Sequence, residues 1–315
     1  MAGLGNSLAP ALAARYGRLV KYWLFRLGVR LAGVLPIAWG QRVAELGGLL
    51  AYALGSRARE TVRANLYHVL GHPPPERTVR AVFRHGARNY YDLLSIPRYS
   101  AADMRALVEV HGWENLEAAR AAGKGVLLVT AHLGSVSFVG QMFAIGGCPS
   151  GVVVEPLQPP ALLDLLVKLR GTHGSQVLPI GPGLLRAMVE ALGRNELVAL
   201  FSDRDVLGSG VEVCFFDALT RLPGGAAGLG LRSGAAVLPG FTIRAADGRH
   251  LMWLEPPLTL TRTGDPRADV RLNTERIART LEAAIRRHPE QWTVFQPVWP
   301  EAPASPSTTG GPGPG

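Results

Sequence analysis

Short apolar runs alternate with helical stretches through the middle of the chain, and this alternation limits the possible folds more than any other feature. The runs lie in GKGVLLVTAHLG, GVVVEP, ELVALFSD, VEVCFF and AAVLPGFTIR. The first run, Val126 to Thr130, is apolar up to its last residue and follows a glycine, which is typical of a strand buried on both faces. Segments such as PPALLDLLVKLRGTHG separate the runs and predict helices. The pattern therefore predicts an α/β fold with a mixed, largely parallel sheet flanked by helices.

Residues 1–57 have a different pattern, because basic side chains interrupt a sequence rich in leucine and aromatic residues. The uncharged stretches at 31–41 and 46–56 are far shorter than the roughly 20 apolar residues that a helix needs to cross a bilayer. We therefore expect one or two amphipathic helices that lie in the membrane interface. The alternative is a pair of amphipathic helices that pack on the core of the following domain.

Residues 58–300 are expected to form the α/β domain itself. Two basic helices are predicted from RARETVRANLYHVLG and RTVRAVFRHGARNYYDLL, with the prolines at 73–75 between them. The stretch NTERIARTLEAAIRRHPEQW predicts a late helix with Asn273 as its N-cap. Residues 301–315, EAPASPSTTGGPGPG, are expected to be a disordered tail, because they offer almost nothing to bury.

The charge of the chain points to an anionic partner. Lysine and arginine total 33 against 24 acidic residues, for a formal net charge of +9. The basic residues are spread along leucine-rich helices without a motif that reads nucleic acid, so we expect an anionic lipid surface and no nucleic acid. With two cysteines and neither CxxC nor HExxH spacing, neither a metal site nor a cofactor is expected.

His132 is the first candidate for catalytic chemistry. It follows the strand predicted at 126–130, and open α/β sheets bind their ligands at the carboxyl ends of strands. A histidine there can take a proton from a hydroxyl near neutral pH. On its own, such a residue is more often a hydrogen-bonded structural histidine. Gly134 would let a substrate approach the backbone, and residues 136–145 predict the helix that leaves the sheet.

A second group of charged residues follows the apolar run near residue 200. It contains Asp203, Arg204, Asp205, Glu212 and Arg221. Acids at strand ends can orient a histidine, and arginines can bind a phosphate. The alternative is a solvated loop whose charges pair with one another. The stretch Pro-Gly-Gly at 223–225 predicts a helix N-terminus, which favours anion binding at Gly224.

Three blocks, TAHLGSVSF, DRDVLGSGVEVCFFDALTRLPGGAAGLGLRSGAAVLPG and NTERIARTLEAAIRRHPEQWTVFQPVW, have the order and spacing of blocks in the bacterial lipid A biosynthesis acyltransferases. The chain resembles this family over about residues 15–300, and most closely its phosphatidylinositol mannoside acyltransferase branch. The resemblance implies a glycerolipid acyltransferase-like fold and a peripheral enzyme on the cytoplasmic side of the cell membrane. Such an enzyme transfers a fatty acyl chain from acyl-CoA or acyl carrier protein to a hydroxyl of a glycolipid, with His132 as general base.

The resemblance also implies a motif of histidine, four residues and an acid, from which this chain departs at Ser137. Serine carries no charge and does not stabilise an imidazolium as a carboxylate does. Another acid would then orient His132. Glu212 is the first choice, because the mannoside acyltransferases use a distant glutamate, and Asp203 and Asp205 come next. Alternatively, Ser137 supports a slower enzyme, or the chain has lost activity and only binds lipid.

The remaining candidates concern the substrates. Arg204 and Arg221 would bind the phosphate of the lipid or of the acyl carrier, and Ser137 would lie beside the substrate. Backbone amides near Gly134 or Gly224 would stabilise the oxyanion of the tetrahedral intermediate. A phosphatidylinositol mannoside is the acceptor that the resemblance implies, while a lipid A precursor or a lysophospholipid would require the same core residues.

Overall fold

A computed structural model describes residues 22–299, and its centre is one seven-stranded sheet. The strands of this sheet are β1 (Val108–His111), β2 (Val126–Thr130), β3 (Ser150–Val154), β4 (Gln176–Pro179), β5 (Leu197–Phe201), β8 (Ala236–Arg244) and β9 (His250–Leu254). Their order is β1-β9-β8-β2-β5-β3-β4, and every neighbouring pair is parallel except β8 with β9. The predicted mixed, largely parallel sheet is confirmed.

Helices cover both faces of this sheet, as predicted. They are α1 (22–34), α2 (Ile37–Leu54), α3 (Ser56–Leu70), α4 (Glu76–Ser95), α5 (Ala101–Leu107), α6 (Trp113–Ala121), α7 (Val136–Val139), α8 (Gln141–Ile145), α9 (Pro160–Arg170), α10 (Leu184–Gly193), α11 (Gly225–Ser233) and α12 (Pro266–Arg287). The core has two main parts, one on each face of the sheet. Strand β2 contributes alternate residues to both parts, which explains why all five of its side chains are buried.

One predicted strand does not join the main sheet. The run VEVCFF forms β6 (Val211–Phe215), which pairs with β7 (Ala218–Leu222) in a separate antiparallel hairpin. Only alternate side chains of β6 are well buried, because the hairpin packs one face on α12 and exposes the other. Glu212 lies on the exposed face, opposite Arg221 of β7.

The late helix begins earlier than predicted, and the expected N-cap is wrong. Helix α12 is capped by Asp265, whose side chain accepts hydrogen bonds from the amides of Arg267 and Ala268. Asn273 lies inside the helix and is buried, where its amide group pairs with both backbone groups of Thr261. The helix predicted at 136–145 is likewise divided, into α7 and α8.

The N-terminal helices have two different faces. Helix α2 packs closely on α4, where a Cβ atom at Gly40 or Gly48 would overlap the Tyr91 ring or the Phe83 carbonyl. The other face is apolar and open to solvent. We call it the N-terminal apolar surface; its members are Trp23, Leu24, Leu27, Leu31, Val34, Ile37, Trp39, Val43, Leu46, Leu50 and Leu54. No helix within residues 22–299 has the length and apolar character required to cross a membrane.

The expectations for the chain ends go beyond the described residues. The first part of the predicted membrane segment, residues 1–21, and the predicted tail at 301–315 both lie outside the range 22–299. The division at residue 57 falls inside helix α3, next to the Gly55 that separates α3 from α2.

Candidate active site

The register of two central strands brings His132 and Asp203 together. Strands β2 and β5 are parallel neighbours, and Thr130 pairs with Phe201. Each functional residue lies two positions beyond its strand, so both side chains emerge at the carboxyl edge of the sheet. His132 Nδ1 is 2.8 Å from Asp203 Oδ1, and the His132 backbone amide donates to Oδ2 at 2.8 Å. An acid therefore does lie within hydrogen-bond reach of the histidine.

The Asp203 carboxylate is fully buried and fully hydrogen-bonded. Besides His132, the Trp292 indole Nε1 donates to Oδ2 at 2.8 Å. Burial raises the pKa of Asp203, but the charge on His132 and the three hydrogen bonds outweigh burial and hold the pKa below its ordinary value. Because an ionised carboxylate only accepts, the proton of a neutral His132 belongs on Nδ1. Nε2 is then the basic nitrogen, and it has no partner among residues 22–299.

The histidine ring lies in the wall of an open cleft. Phe201 stacks on it with a centroid separation of 4.2 Å and so restricts the χ2 torsion of the histidine side chain. Parts of α4, the loop after β2, the end of β3, α9 and the C-terminal segment form the rest of the cleft. The imidazole is 28% exposed, whereas Asp203 is 0% exposed. The base is thus accessible to a substrate while its partner is shielded from water.

An apolar cavity adjoins the cleft. It lies between the sheet and helices α7 and α8, and its apolar walls are Leu128, Val139, Phe143, Leu197, Ala199, Phe241, Met252 and Leu254. Four residues, Val136, Ser137, Arg170 and Phe201, line both the cleft and the cavity. The stacking partner of His132 therefore lies where the two spaces meet.

Arg170 and Ser137 form a second polar pair at this junction. Arg170 Nη2 donates to Ser137 Oγ at 2.8 Å. The other two guanidinium nitrogens, Nε and Nη1, are buried and have no hydrogen-bond partner within residues 22–299. Burial lowers the pKa of Arg170 to about 10, at which the group is still charged at neutral pH. Ser137 is thus a hydrogen-bond acceptor for an arginine. The guanidinium of this arginine is a buried cation with two N–H donor nitrogens that have no partner among the described residues.

The first-choice acid, Glu212, is not the residue that contacts His132. It lies on the exposed face of the β6–β7 hairpin, whereas Asp203 occupies the position next to the imidazole. Asp205 is two residues from Asp203 but faces its own loop, where its oxygens accept from the amides of Leu207 and Gly210. Of the three acids considered, the β2–β5 register brings only Asp203 to the histidine.

The two candidate arginines differ in place. Arg204 lines the cleft and pairs with Glu155, which follows strand β3 and lines the same cleft. Arg221 is exposed on the hairpin, where Nη1 reaches the carbonyl of Gly210 at 3.4 Å. Arg204 therefore lines the same cleft as His132, and Arg221 is not among the residues described as lining that cleft.

Neither candidate glycine supplies the expected amide, because that of Gly134 is already bonded and Gly224 is not among the residues described as lining the cleft. The Gly134 amide donates to the Gln291 carbonyl at 3.1 Å, and an added Cβ would lie 2.4 Å from the Thr242 carbonyl oxygen. With φ at +64°, this glycine is required for the close approach of the loop to β8 rather than for substrate access. Gly224 does precede a helix, α11, but packs against Val211 and Val270. The expected oxyanion role of either amide lacks support.

Three residues of the site carried no assigned role in the sequence. Trp292 lies in the PEQW block that resembles the acyltransferase family. Arg170 closes helix α9, where a basic residue is ordinary because it complements the helix dipole. Glu155 follows the three valines of the run GVVVEP, and an acid directly after a predicted strand is the one signal that pointed to it. No group of metal-ligating side chains large enough to hold an ion occurs within residues 22–299.

Comparison with known proteins identifies the family of the chain. The family model for the bacterial lipid A biosynthesis acyltransferases matches residues 11–301. The phosphatidylinositol mannoside acyltransferase of Mycolicibacterium smegmatis is 31% identical over 87% of this chain and 90% of its own length. That of Mycobacterium tuberculosis is 31% identical over 88% of each chain. The lipid A biosynthesis palmitoleoyltransferase of Escherichia coli is 28% identical over 60% of each. The chain therefore belongs to the bacterial lipid A biosynthesis acyltransferase family and is an acyltransferase of lipid biosynthesis.

Proposed function

We propose that this acyltransferase moves a fatty acyl chain from a thioester, acyl-CoA or acyl carrier protein, to a hydroxyl of a glycolipid, with His132 as general base. The observation that carries the proposal is the His132–Asp203 pair, which opens on a cleft that adjoins an apolar cavity. The cleft can receive a polar acceptor and the cavity an acyl chain. No other resident group is required for this chemistry.

The reaction follows from the positions of the two ring nitrogens. The acceptor hydroxyl donates a hydrogen bond to His132 Nε2 and passes its proton to that nitrogen as its oxygen attacks the thioester carbonyl carbon. Asp203 stabilises the resulting imidazolium through Nδ1. The tetrahedral intermediate collapses as the carbon–sulfur bond breaks, and the departing thiolate takes the proton back from Nε2. The products are an ester and a free thiol, without an acyl-enzyme.

Arg170 is the proposed donor for the oxyanion. Arg170 lines both the cleft and the cavity, and its Nε and Nη1 have no partner among the described residues. With the acyl chain in the cavity and the acceptor in the cleft, the thioester carbonyl would lie where the two spaces meet. A buried, prepositioned cation stabilises developing negative charge more strongly than water does. Ser137 contributes by holding Nη2 of the same guanidinium. Arg204, held by Glu155, is the proposed contact for a phosphate of the acceptor or the acyl carrier.

The N-terminal apolar surface is the proposed membrane contact. Its large side chains include Trp39, Leu46 and Leu50, which are 62%, 66% and 59% exposed. A protein that acts on a lipid acceptor gains by burying such a surface in the membrane interface, and its net positive charge favours anionic headgroups. The proposed location is therefore the cytoplasmic face of the cell membrane, with the enzyme as a peripheral protein.

Vesicle binding tests the membrane contact. Co-sedimentation with vesicles of phosphatidylcholine and phosphatidylglycerol should fall at least tenfold when Leu46 and Leu50 are both replaced by glutamate, since two buried leucines contribute roughly 3 kcal/mol or more. Leu219→Glu is the matched control, because Leu219 is 68% exposed on the distant hairpin. Equal binding by the double variant and the control would contradict this assignment.

The proposed acceptor is a phosphatidylinositol mannoside, because the similar proteins from two mycobacteria carry that name. The test is transfer of labelled palmitate from palmitoyl-CoA, and separately from palmitoyl-acyl carrier protein, to a panel of acceptors. The panel holds a mannosylated phosphatidylinositol, a lipid A precursor and a lysophospholipid. We expect the mannosylated lipid to be acylated fastest. Faster transfer to another acceptor would refute the assigned acceptor and leave the chemistry in place.

A binding protein without turnover is the second candidate, motivated by Ser137 in the position of the motif acid. If the chain only bound lipid, we would expect His132 to have no carboxylate partner. Asp203 Oδ1 at 2.8 Å from His132 Nδ1 instead favours turnover. Binding of the glycolipid without transfer from either donor, in an assay that detects one turnover per enzyme, would establish the binding protein.

A further inference from the structure

The buried indole of Trp292 touches the carboxylate that orients the histidine. Its Nε1 is 2.8 Å from Asp203 Oδ2, and the side chain is only 2% exposed. Oδ2 also accepts from the His132 amide, while Oδ1 is given to the imidazole. Oδ1 therefore binds the imidazole, and Oδ2 binds the His132 amide and the Trp292 indole. Trp292 supplies one of the three N–H groups that bind the carboxylate.

The backbone around Trp292 is held in place from two sides. Residues 291–293 run antiparallel to residues 132–134, where the Gly134 amide donates to the Gln291 carbonyl at 3.1 Å and the Thr293 amide donates to the His132 carbonyl at 2.9 Å. The Gln291 side chain pairs with both backbone groups of Arg244, at 2.8 and 2.9 Å. The indole is thus aimed at Asp203 by a rigid frame that includes the histidine loop itself.

We infer that Trp292 is a positioning residue for acyl transfer, whose indole N–H fixes the rotation of the Asp203 carboxylate so that Oδ1 faces His132 Nδ1. This inference rests on the proposed function. The terminal torsion of aspartate is broad, so a carboxylate that bonds only to His132 can rotate. The Trp292 indole, as a second N–H donor to Oδ2, opposes that rotation. It also draws charge away from the oxygen that faces the imidazole, which makes the carboxylate less basic.

The alternative is that Trp292 only fills space in the core. Its ring lies among aromatic neighbours, with centroids 6.4 Å from Phe216 and 6.3 Å from Trp299. Trp299 provides a matched control. It is also buried, at 8% exposure, and its Nε1 donates at 3.2 Å to the carbonyl of Phe215 instead of to a catalytic group. Replacement by phenylalanine removes the same atoms and one N–H at each position.

Steady-state kinetics of Trp292→Phe and Trp299→Phe distinguish the two roles. A positioning role predicts that Trp292→Phe lowers kcat about tenfold, as expected for loss of a hydrogen bond to a charged group, with KM within about twofold of wild type. The acid limb of the kcat profile should move to higher pH, because the more basic carboxylate stabilises the imidazolium. The other ionisable groups that line the cleft, Tyr90, Glu155, Arg170 and Arg204, are the same in both variants. Equal losses in both variants, with unmoved pH profiles, would overturn the inference.

A readout that needs no turnover separates this inference from the proposed function. In protein labelled at the histidine ring carbon, the His132 signal is assigned by its loss in His132→Gln, and its pH titration is followed by NMR. The midpoint should rise in Trp292→Phe and stay unchanged in Trp299→Phe. If Trp292→Phe does not fold, benzothienylalanine at position 292 keeps the ring size without the N–H and should give the same rise. An unchanged midpoint refutes the positioning role whether or not the enzyme transfers acyl groups.

Discussion

Replacement of Asp203 by asparagine keeps the shape of the side chain and removes its charge. The new amide has two orientations. With its oxygen towards His132 Nδ1, its NH2 group faces two donors, the His132 amide and the Trp292 indole, and two hydrogen bonds are lost. In the flipped orientation those two bonds are kept, and the NH2 group donates to Nδ1. Nδ1 must then be the unprotonated nitrogen, and the proton moves to Nε2, which can no longer act as a base.

The size of the effect follows from this choice. Two buried hydrogen bonds are worth about 3–4 kcal/mol, so the flipped orientation dominates by roughly 10²–10³-fold. The variant also loses the charge that stabilises the imidazolium. We therefore expect kcat to fall by about 10³–10⁴-fold, comparable to the loss of an orienting carboxylate in a catalytic triad. Since the flipped amide satisfies every neighbour, the protein should stay folded.

The assay is single-turnover acyl transfer from palmitoyl-CoA to the glycolipid acceptor, with a thermal unfolding curve for each variant. Glu212→Gln is the matched control, because it makes the same chemical change on the exposed hairpin and should stay within about twofold of wild type. A folded Asp203→Asn enzyme with more than a tenth of wild-type kcat would refute the tautomer argument. So would a larger loss in Glu212→Gln than in Asp203→Asn.

Other predictions test the neighbouring features. Arg170→Lys should lower kcat by about 10²-fold through loss of oxyanion donors, measured beside Arg186→Lys, an exposed arginine of α10 that should leave kcat unchanged; equal rates would contradict the role. Gly134→Ala should lower the unfolding free energy, measured by urea titration, by more than 3 kcal/mol, because a Cβ would lie 2.4 Å from a carbonyl oxygen. The control is Gly123→Ala, which has a similar φ but no atom near the added Cβ and should lower the unfolding free energy by about 1 kcal/mol. Burial lowers the pKa of His250 to about 4, so between about pH 6.5 and pH 4 the proton binds to this histidine in the unfolded state only. In that range stability falls as the pH falls, and His250→Phe should reduce this loss by about 1.4 kcal/mol per pH unit. An unchanged dependence of the unfolding free energy on pH would contradict the lowered pKa.

Four strands of the sheet, β2, β3, β5 and β8, were predictable because apolar runs mark them locally, whereas β1, β4 and β9 were not predicted. The run from Val126 to Thr130 is apolar up to its last residue and preceded by glycine, so its existence and its burial follow from sequence alone. The run VEVCFF was also predicted as a strand, yet it forms a separate hairpin in which only its alternate residues are well buried. Strand order is a long-range property that local patterns do not encode. The position of His132 at the carboxyl end of a strand could therefore be predicted from the sequence. Its neighbour at the end of the adjacent strand, Asp203, could not.

The choice among the candidate acids failed for the same reason. Asp203 and Glu212 both lie in the charged stretch after residue 200, and the resemblance to the mannoside acyltransferases favoured a glutamate. What selects Asp203 is the parallel register of β2 with β5, in which Thr130 pairs with Phe201. That register carries residues two positions beyond each strand to the same point. The information lies in the pairing of two strands about 70 residues apart.

The absence of an acid at position 137 becomes intelligible only with α9 in place. Ser137 accepts from Arg170, so this position holds a guanidinium and leaves the histidine to Asp203. Gly134 shows the converse case. Its role was expected to be substrate access, but the loop approaches β8 so closely that packing alone requires glycine. In both cases the sequence marked the residue as unusual, and its contacts in the structure give a different reason from the expected one.

The most direct test of the central claim is the rate of acyl transfer by His132→Ala against wild type, with labelled palmitoyl-CoA and a mannosylated phosphatidylinositol in the same vesicles. Removal of the base should lower kcat by about 10²–10⁴-fold, the range expected for a positioned general base, while binding to acceptor vesicles stays at the wild-type level. Transfer by a folded His132→Ala enzyme at more than a tenth of the wild-type rate would contradict the account.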